Sequence, residues 1–367
     1  MGLTLWAALG LEVGAPLPAL RPSSATASPG ARETAGPLRP HPQAFAQAVG
    51  AGAPTGNKKK EEAGSADDDP QAIDRFQDLA VKGNFPEVEP QLQSYLAAHP
   101  RSWKAYYLLG YAQFRERKIG ESIKSLSKAL EIHPDSPEAH KALGKDLALI
   151  GRYDYALREY DAAGRLDPAS VEVPYNLGKI YAIQDDWTKA RAEFEKALQQ
   201  DANYMEAYNA LGFALEAAGD EAGAVANYLT AIRLNEERQS KFDSPYINLS
   251  GYYNYRGKLD LALEYAHKAL ALNPQSDLAY FQIAKACRAQ QDWPGAVAAL
   301  EKATALNAWR PQYFYVLGLA YGKLGKTAES QRALQTFQEL EKRDADFERQ
   351  RRELHRQQQG LELRPEE

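Results

Sequence analysis

A leucine followed by a small residue recurs at a fixed interval through most of this chain. Leu-Gly pairs begin at residues 109, 143, 177 and 211, so that successive pairs lie 34 residues apart. The frame continues at residues 249, 283 and 317, with one step of 38 and then two more of 34. A period of this length indicates seven repeated units that can bury their apolar faces only against one another.

Small residues recur inside each unit where two helices are expected to cross. We number the Leu-Gly pair as positions 7 and 8, so that the first unit begins at residue 103. Position 20 is always small: Ser122, Ala156, Ala190, Ala224, Ala262, Ala296 and Ser330. Position 27 is alanine in six units and phenylalanine in the last: Ala129, Ala163, Ala197, Ala231, Ala269, Ala303 and Phe337. Large apolar residues between them at helical spacing predict two packed helices per unit.

Glycine and proline divide each unit into these two helices. Position 15 is glycine in four units, at Gly151, Gly219, Gly257 and Gly325, and is expected to end the first helix in a left-handed conformation. Position 32 is proline in three units, at Pro134, Pro168 and Pro274, and is expected to follow the second helix.

The Leu-Gly pair, aromatic residues at position 11 such as Tyr181 and Tyr253, alanine at positions 20 and 27, and proline at position 32 together resemble the tetratricopeptide repeat (TPR) family. The resemblance implies an all-α fold, a superhelical solenoid of helix-turn-helix repeats with a charged C-terminal helix. It predicts seven repeats over residues 103–344. Residues 70–102 are expected to form a degenerate N-terminal repeat that caps the array, although Phe76 stands where a small residue belongs.

Residues 345–367 are expected to form a charged C-terminal helix and tail. Leu340, Phe347 and Leu354 recur every seven residues on a segment otherwise rich in Arg, Glu and Gln. Two interpretations are open. A solvated helix that closes the end of the array is favoured over a short coiled-coil seam, because fewer than three full heptads are present.

The N-terminal 69 residues lie outside the repeats. Residues 1–27 contain an apolar stretch and Ala25-Thr26-Ala27, which fits the cleavage site of a signal peptide, but no basic residue precedes the stretch and Glu12 interrupts it. We expect export to an exterior or periplasmic compartment over a cytoplasmic location, with both still open. Residues 28–69 are rich in Pro, Gly and Ala and predict a disordered linker.

Composition and motifs argue against catalytic, metal and nucleic-acid chemistry. A formal net charge of −5 does not favour binding to DNA or RNA, and no apolar run is long enough for a transmembrane segment. The segment Ala320–Thr327 loosely matches a phosphate-binding loop but falls inside a predicted helix. Cys287 occupies a core position, and the six histidines do not form a ligand group. We therefore expect no enzyme activity, no metal and no cofactor.

The TPR resemblance also implies a binding groove, lined by positions 2, 5, 9, 12 and 13 of the first helices. Aromatic and basic residues alternate there, with amides nearby, which suits an extended peptide that bears carboxylates. The candidate groove residues are Tyr107, Tyr111, Lys141, Lys145, Tyr175, Asn176, Lys179, Asn209, Phe213, Asn248, Asn254, Phe281, Lys285 and Tyr315.

Chaperone-binding TPR proteins hold a terminal carboxylate with a fixed group of Lys, Asn and Arg residues. Lys141 and Asn176 match two of those places, but Lys145 replaces an Asn, and Glu206 and Ala210 stand where Lys and Arg are required. The sequence therefore argues against that particular partnership.

The leading hypothesis is a non-enzymatic scaffold or adaptor that binds peptide segments of one or more partner proteins in the groove. One alternative is the targeting subunit of an enzyme, such as a glycosyltransferase, whose catalytic part lies on another chain. Another is a structural subunit of an envelope or secretion assembly. The sequence does not choose the partners, the biological process or the oligomeric state.

Overall fold

A computed structural model describes residues 68–362, with side chains up to residue 346 and at Arg349. All regular secondary structure in this range is α-helical and consists of 16 helices, which confirms the prediction of an all-α repeat fold. The predictions for residues 1–27, for residues 28–67 and for the side chains of Phe347 and Leu354 fall outside what the structure describes.

The chain divides into two compact units, with the boundary between Asn227 and Tyr228. The first unit contains α1 (Pro70–Val81), α2 (Phe85–Ala98), α3 (Trp103–Arg115), α4 (Ile119–Ile132), α5 (Pro137–Leu149), α6 (Tyr153–Leu166), α7 (Glu172–Ile183), α8 (Trp187–Gln200) and α9 (Met205–Ala217). The boundary lies within α10 (Glu221–Glu237). The second unit continues with α11 (Ser244–Tyr255), α12 (Leu259–Leu272), α13 (Asp277–Ala289), α14 (Trp293–Leu306), α15 (Pro311–Lys323) and α16 (Thr327–Glu362).

Serine and aspartate side chains begin several of these helices. Ser102 and Ser136 each accept a hydrogen bond from the backbone N–H three residues later, at 3.2 Å in both cases. Asp186 and Asp292 do the same at the start of the second helices α8 and α14, at 3.1 and 3.0 Å. Each bond satisfies a backbone donor that the helix itself leaves without an acceptor, and such caps typically contribute about 1 kcal/mol.

The first and second helices of a repeat cross where glycine faces a large side chain. A Cβ atom built on Gly178 would lie only 2.6 Å from Cε1 of Phe194, and one on Gly110 would lie 2.7 Å from Cγ of Leu126. The alanines at positions 20 and 27 are fully buried, whereas Phe337 of the last repeat is only half-buried. The close crossing therefore depends on the small residues that define the sequence period.

Serine replaces glycine or alanine at some crossings and links the two helices. The Ser122 hydroxyl, on the second helix, donates a 2.7 Å hydrogen bond to the Gly110 carbonyl oxygen on the first. In the fifth repeat the direction is reversed, because Ser250 lies on the first helix and donates to the Ala262 carbonyl oxygen at 2.7 Å. A serine on either helix can therefore donate the hydrogen bond that links the two helices at this crossing.

The turn between the two helices is left-handed in all seven repeats. The four predicted glycines at position 15 have φ between 68° and 85°. Arg117, Asp185 and Gln291 occupy the same position in the other three repeats, with φ of 64°, 59° and 61°. The prediction based on glycine was therefore incomplete, since the repeat imposes this conformation on residues that adopt it at a cost of about 1–2 kcal/mol.

Gln291→Gly is expected to raise the free energy of unfolding by about 0.5–1 kcal/mol, because glycine adopts positive φ without a Cβ clash.

The reverse change, from glycine to alanine, can be made at Gly219. An added Cβ there would meet no atom within 4 Å, so the variant tests backbone conformation alone. Gly219→Ala is expected to lower stability by about 1 kcal/mol. Urea unfolding followed by circular dichroism measures both, and shifts of the same sign in the two variants would contradict the strain argument.

A buried polar network joins the helix pair α1–α2 to the first full repeat. The Gln113 side chain on α3 donates to Glu89 of α2 at 3.2 Å and accepts a 2.8 Å hydrogen bond from Ser125 of α4. Lys118 forms an ion pair with Glu89. Phe76 is almost fully buried and packs edge-on against Tyr95, with ring centroids 5.4 Å apart. Residues 70–102 thus form a helix pair packed on the array, in which Phe76 fills a position that is small elsewhere.

Two helices differ in length from their counterparts. The four additional residues in the step of 38 lie partly within α10 and partly after it, since α10 has 17 residues where the other second helices, apart from α16, have 14. The second helix of the last repeat was expected to end near residue 344, before a separate charged helix. It instead continues without a break as α16, 36 residues long.

Candidate functional site

The first helices of adjacent repeats in the first unit contact one another directly: α3 with α5, α5 with α7, and α7 with α9. Side chains at positions 5, 6, 9 and 13 of these helices therefore come from neighbouring repeats onto a common surface. We call this surface the first-helix face. Its predicted members are Tyr107, Tyr111, Lys141, Lys145, Tyr175, Asn176, Lys179, Asn209 and Phe213.

Lys179, at position 9 of the third repeat, is a buried lysine on this face. Only 7% of the residue is exposed. Its Nζ atom lies over the Tyr175 ring, 5.0 Å from the ring centroid. Burial lowers the pKa of Lys179 to about 7, and repulsion from the Lys145 charge adds to the decrease. The aromatic ring is a weak substitute for water or a carboxylate, so the protonated ammonium is poorly compensated.

Lys145 occupies the equivalent position of the second repeat. Its Nζ atom lies over the Phe114 ring of the preceding repeat, 4.9 Å from the centroid. Burial lowers the pKa of Lys145, the negative charges of Asp146 and Glu172 oppose that decrease, and the Arg115 charge contributes to it. Lys145 is therefore surrounded by charges of both signs, but none of the carboxylates contacts its ammonium group closely enough for an ion pair.

Arg115, at position 13 of the first repeat, was not named among the sequence candidates. Its Nη1 atom donates a 2.9 Å hydrogen bond to the Tyr111 hydroxyl, and its guanidinium lies over the Phe85 ring, 4.8 Å from the centroid. Arg115, Lys145 and Lys179 together form what we call the cation row. Within the part of the chain that the structure describes, none of the three forms an ion pair.

Lys141 and Asn176 are already engaged by the protein itself. The Lys141 Nζ atom lies 3.1 Å from a carboxylate oxygen of Glu172. The Asn176 side-chain amide donates a 2.8 Å hydrogen bond to the Glu172 backbone carbonyl, one turn earlier in the same helix. The sequence suggested that both would contact a ligand, whereas the structure gives each an intramolecular partner that a ligand would have to displace.

Aromatic side chains also pack against one another near the first-helix face. Tyr175 packs edge-on against Tyr204, with ring centroids 5.1 Å apart, and Phe213 packs against Trp187 at 5.9 Å. Burial raises the pKa of Tyr107 well above its ordinary value, with a further contribution from Glu138. Asn209 is 3% exposed and lies beneath this surface more than on it. The face is therefore partly apolar, which strengthens electrostatic interactions made within it.

Asp146, next to Lys145 in the chain, is a buried acid that was not among the sequence candidates. The residue is 1% exposed, and its Oδ2 atom has no hydrogen-bond partner. Burial raises the pKa of Asp146 to about 7, although the polar Ser122 side chain and the Lys145 charge oppose the increase. Because Asp146 is only partly ionised at neutral pH, it is a weak counter-ion for Lys145.

The second unit carries the remaining candidates. The Phe281 ring contacts Tyr313 with centroids 4.7 Å apart, and Lys285 Nζ lies 5.9 Å from the Phe281 centroid. Tyr315 is 43% exposed and packs on Phe337. The Asn254 amide donates to the Gln282 carbonyl oxygen at 3.0 Å, and Asn248 is half-buried.

Other reactive groups of the described residues do not converge on a site. Cys287 is buried with a free thiol, and burial raises its pKa, which makes it a poor nucleophile. His140 bonds Glu159 through Nδ1 at 2.6 Å. No group of His, Cys, Asp and Glu side chains within residues 68–346 is arranged to hold a metal ion. None of the helices that the structure describes combines the length and apolarity needed to cross a membrane.

Family models match the repeats directly. A TPR repeat model matches residues 178–219. Two tetratricopeptide repeat models match residues 73–137 and 252–308, and residues 206–238 and 311–344. The matches reach into the helix pair α1–α2 and extend through the last repeat. Comparison with curated proteins gave no match.

Solved structures share the fold at low sequence identity. The Cut9–Hcn1 hetero-tetramer of the APC/C matches with a TM-score of 0.59 at 18% identity, over 69% of this chain and 49% of that one. A tetratricopeptide repeat protein from Parabacteroides merdae gives 0.58 at 19% identity, over 68% and 97%. Yeast Tom70 gives 0.57 at 15% identity, over 75% and 59%. This chain thus spans about half the length of the Cut9–Hcn1 chain.

TPR repeats are typically non-catalytic and typically serve in protein-interaction scaffolds. The helix pairs, the small residues at their crossings and the family models all agree on one conclusion. The chain belongs to the tetratricopeptide repeat family.

Proposed function

We propose that this protein is a non-enzymatic scaffold that binds extended acidic segments of partner proteins on the first-helix face. The observation that supports the proposal is the cation row, in which three basic side chains lie over aromatic rings without a carboxylate partner, although Lys179 is only partly protonated at neutral pH. A buried charge without a counter-ion lowers the stability of the protein that carries it. A ligand that supplies negative charge recovers part of that loss when it binds.

The aromatic side chains around the cation row suit the rest of such a segment. Tyr111 and Tyr175 offer ring surfaces next to Arg115 and Lys179. An extended chain places alternate side chains on opposite sides, so one acidic side chain can face a cation while its neighbours contact rings. Because Lys141 pairs with Glu172, Lys145 and Lys179 are the lysines of the second and third repeats on this face that have no carboxylate partner.

A defined peptide pair tests this proposal. One fluorescein-labelled peptide of about twelve residues alternates glutamate with tyrosine and alanine, and its counterpart has glutamine in place of every glutamate. Fluorescence anisotropy at about 50 mM salt, where screening is weak, is expected to show at least about tenfold tighter binding of the glutamate peptide. The double variant Lys145→Met/Lys179→Met is expected to remove that preference.

Lys128→Met is the matched control, because Lys128 lies on the second helix α4 and pairs with Glu131 at the surface. It is expected to leave the anisotropy titration unchanged. Equal binding of the glutamate and glutamine peptides, or an undiminished preference in the double variant, would contradict binding on the first-helix face.

A further inference from the structure

His140 lies at the junction of the first and second repeats and contacts an oxygen acceptor with each of its ring nitrogens. Nδ1 lies 2.6 Å from a carboxylate oxygen of Glu159 on α6, and Nε2 lies 2.9 Å from the backbone carbonyl oxygen of Pro134, in the turn after α4. A carboxylate and a carbonyl can only accept, and a neutral imidazole has one N–H donor. Both contacts are therefore hydrogen bonds only when the ring carries two protons and a positive charge.

These contacts join elements of two repeats. The His133 ring, next to Pro134, stacks on Trp103 at the start of α3, with ring centroids 4.4 Å apart. The side chains of His140 and Glu159 are 15% and 23% exposed, so water competes only partly for their hydrogen bond. The series of contacts thus runs from the first helix of the first repeat, through the connecting turn, to both helices of the second.

His140 occupies a position at which the other repeats have no group that titrates near neutral pH. Position 4 holds these residues elsewhere: Tyr106, Pro174, Tyr208, Tyr246, Tyr280 and Phe314. The carbonyl of Pro168, which is equivalent to Pro134 one repeat later, accepts a 2.9 Å hydrogen bond from the Gln200 amide. An amide keeps its hydrogens at every ordinary pH. The link at Pro134 is therefore titratable, whereas the link at Pro168 is not.

The immediate contacts of His140 favour its protonated form. The hydrogen bond to Glu159 raises the pKa of His140 above its ordinary value of 6.5, and the Pro134 carbonyl and the Glu159 charge add to the increase. Burial and the Arg165 charge, also on α6, oppose it. Asp135 and Glu138, close to His140 in the chain, are exposed. Charged groups of the other helices that pack on α5 are engaged elsewhere: Lys104 over Trp103 and Arg115 with Tyr111 on α3, Glu131 with Lys128 on α4, and Glu172 of α7 with Lys141.

We infer that His140 is a proton-dependent clasp between the first and second repeats. The protonated ring holds Glu159 and the Pro134 carbonyl at the same time. After the ring loses one proton, one nitrogen presents a lone pair to an acceptor oxygen, and that contact becomes repulsive. The remaining proton is expected to stay with Glu159, because a hydrogen bond to a carboxylate is the stronger of the two. The turn at Pro134 is then released from α5.

The pH dependence of the clasp follows from the direction of the pKa shift. A group whose pKa is raised in the folded state contributes stability that is fully present below its unfolded value, here 6.5. That contribution is lost as pH rises through the folded value. Because α5 also carries Lys141 and Lys145, the clasp controls the attachment of a helix that contributes to the first-helix face.

Nuclear magnetic resonance of the full chain between pH 5.5 and 9 tests the clasp. The His140 ring signals are expected to titrate with a midpoint above 6.5, and the backbone amide signals of Asp135 and Ser136 are expected to shift with the same midpoint. Glu159→Gln keeps an acceptor oxygen and removes the charge, so it is expected to lower the midpoint. His140→Gln is expected to abolish the shift of the two turn amides in this pH range.

Two controls accompany the titration. His267→Gln makes the same substitution at an exposed position on α12 and is expected to leave the titration of the turn amides unchanged. The amides of Ala169 and Ser170, which follow Pro168, are an internal control and are expected not to shift with the His140 midpoint.

Several results would overturn the clasp. They are a His140 midpoint at or below 6.5, an unchanged midpoint in Glu159→Gln, and turn amides that do not follow the ring or that still titrate in His140→Gln. If His140→Gln does not fold, the titrations of the wild type and of Glu159→Gln decide the question. None of these outcomes depends on whether the first-helix face binds an acidic segment.

Discussion

Lys179→Met is expected to raise the free energy of unfolding by up to about 4–5 kcal/mol at pH 7. The physical reason is that the Lys179 ammonium is buried and has no ion-pair partner. A pKa lowered from 10.5 to about 7 corresponds to about 1.4 kcal/mol for each pH unit of the shift. Methionine has similar length and no charge, so it keeps the packing and removes the desolvation cost.

The pH dependence of this difference has a definite sign. Below pH 7 the lysine is protonated in both the folded and unfolded states, and the full cost is present. Between pH 7 and about 10.5 the unfolded state holds a proton that the folded state has released, so the wild type gains stability as pH rises. The advantage of Lys179→Met is therefore expected to shrink over that range.

Urea unfolding at pH 6, 7, 8 and 9 measures this effect. Lys128→Met, on the exposed second-helix surface, is expected to change stability by less than about 0.5 kcal/mol at every pH. A Lys179→Met variant that is less stable than the wild type at pH 7 would contradict the argument. If Lys179→Met is more stable than the wild type and also loses binding of the acidic peptide, the charge of Lys179 serves binding and not folding.

Asp146→Asn is expected to stabilise the protein by up to about 4 kcal/mol at pH 8, with an opposite dependence on pH. The pKa of Asp146 is raised from 3.8 to about 7 by burial. Below about pH 4 the Asp146 carboxyl is protonated in both the folded and the unfolded state, so no charge has to be buried on folding. Between pH 4 and 7 the folded state retains a proton that the unfolded state loses, so wild-type stability falls as pH rises, and above pH 7 the full cost is present.

The comparison of Asp146→Asn with the wild type at pH 5, 6, 7 and 8 checks this prediction. The difference in unfolding free energy is expected to increase with pH and to level off above pH 7. Asp161→Asn, at an exposed position, serves as the control and is expected to show no such increase. A difference that does not vary with pH would show that Asp146 affects stability through packing or hydrogen bonding instead of ionisation.

The fold was predictable from the sequence because the residues that determine it are local and periodic. Gly178, Ala190 and Phe194 meet at one helix crossing, and their spacing alone reveals the contact. The turn at position 15 was only partly predictable. Glycine marks it in four repeats, whereas Gln291 adopts the same conformation because the neighbouring helices require it. The residue type indicates which backbone conformation is preferred, but the packing of the repeat determines which conformation the residue adopts.

The candidate site was less accessible to sequence reasoning. The TPR resemblance directed attention to position 9, where Lys145 and Lys179 lie, but it could not show that Glu172 pairs with Lys141 and leaves these two lysines without a partner. Arg115 could have been found, because it occupies position 13 of the first repeat. Asp146 could also have been found, because it occupies position 10, which is alanine or isoleucine in five of the other six repeats and is buried in each of those five.

The left-handed turns also affect which substitutions the first-helix face can accept during evolution. Arg117, Asp185 and Gln291 hold strain that replacement by glycine would relieve, and these positions belong to different repeats, so their effects should add to roughly 2 kcal/mol. That amount offsets a substantial part of the cost of one buried ammonium. The turns thus give the chain mutational tolerance, through which new charges can be accepted on the first-helix face without loss of the fold.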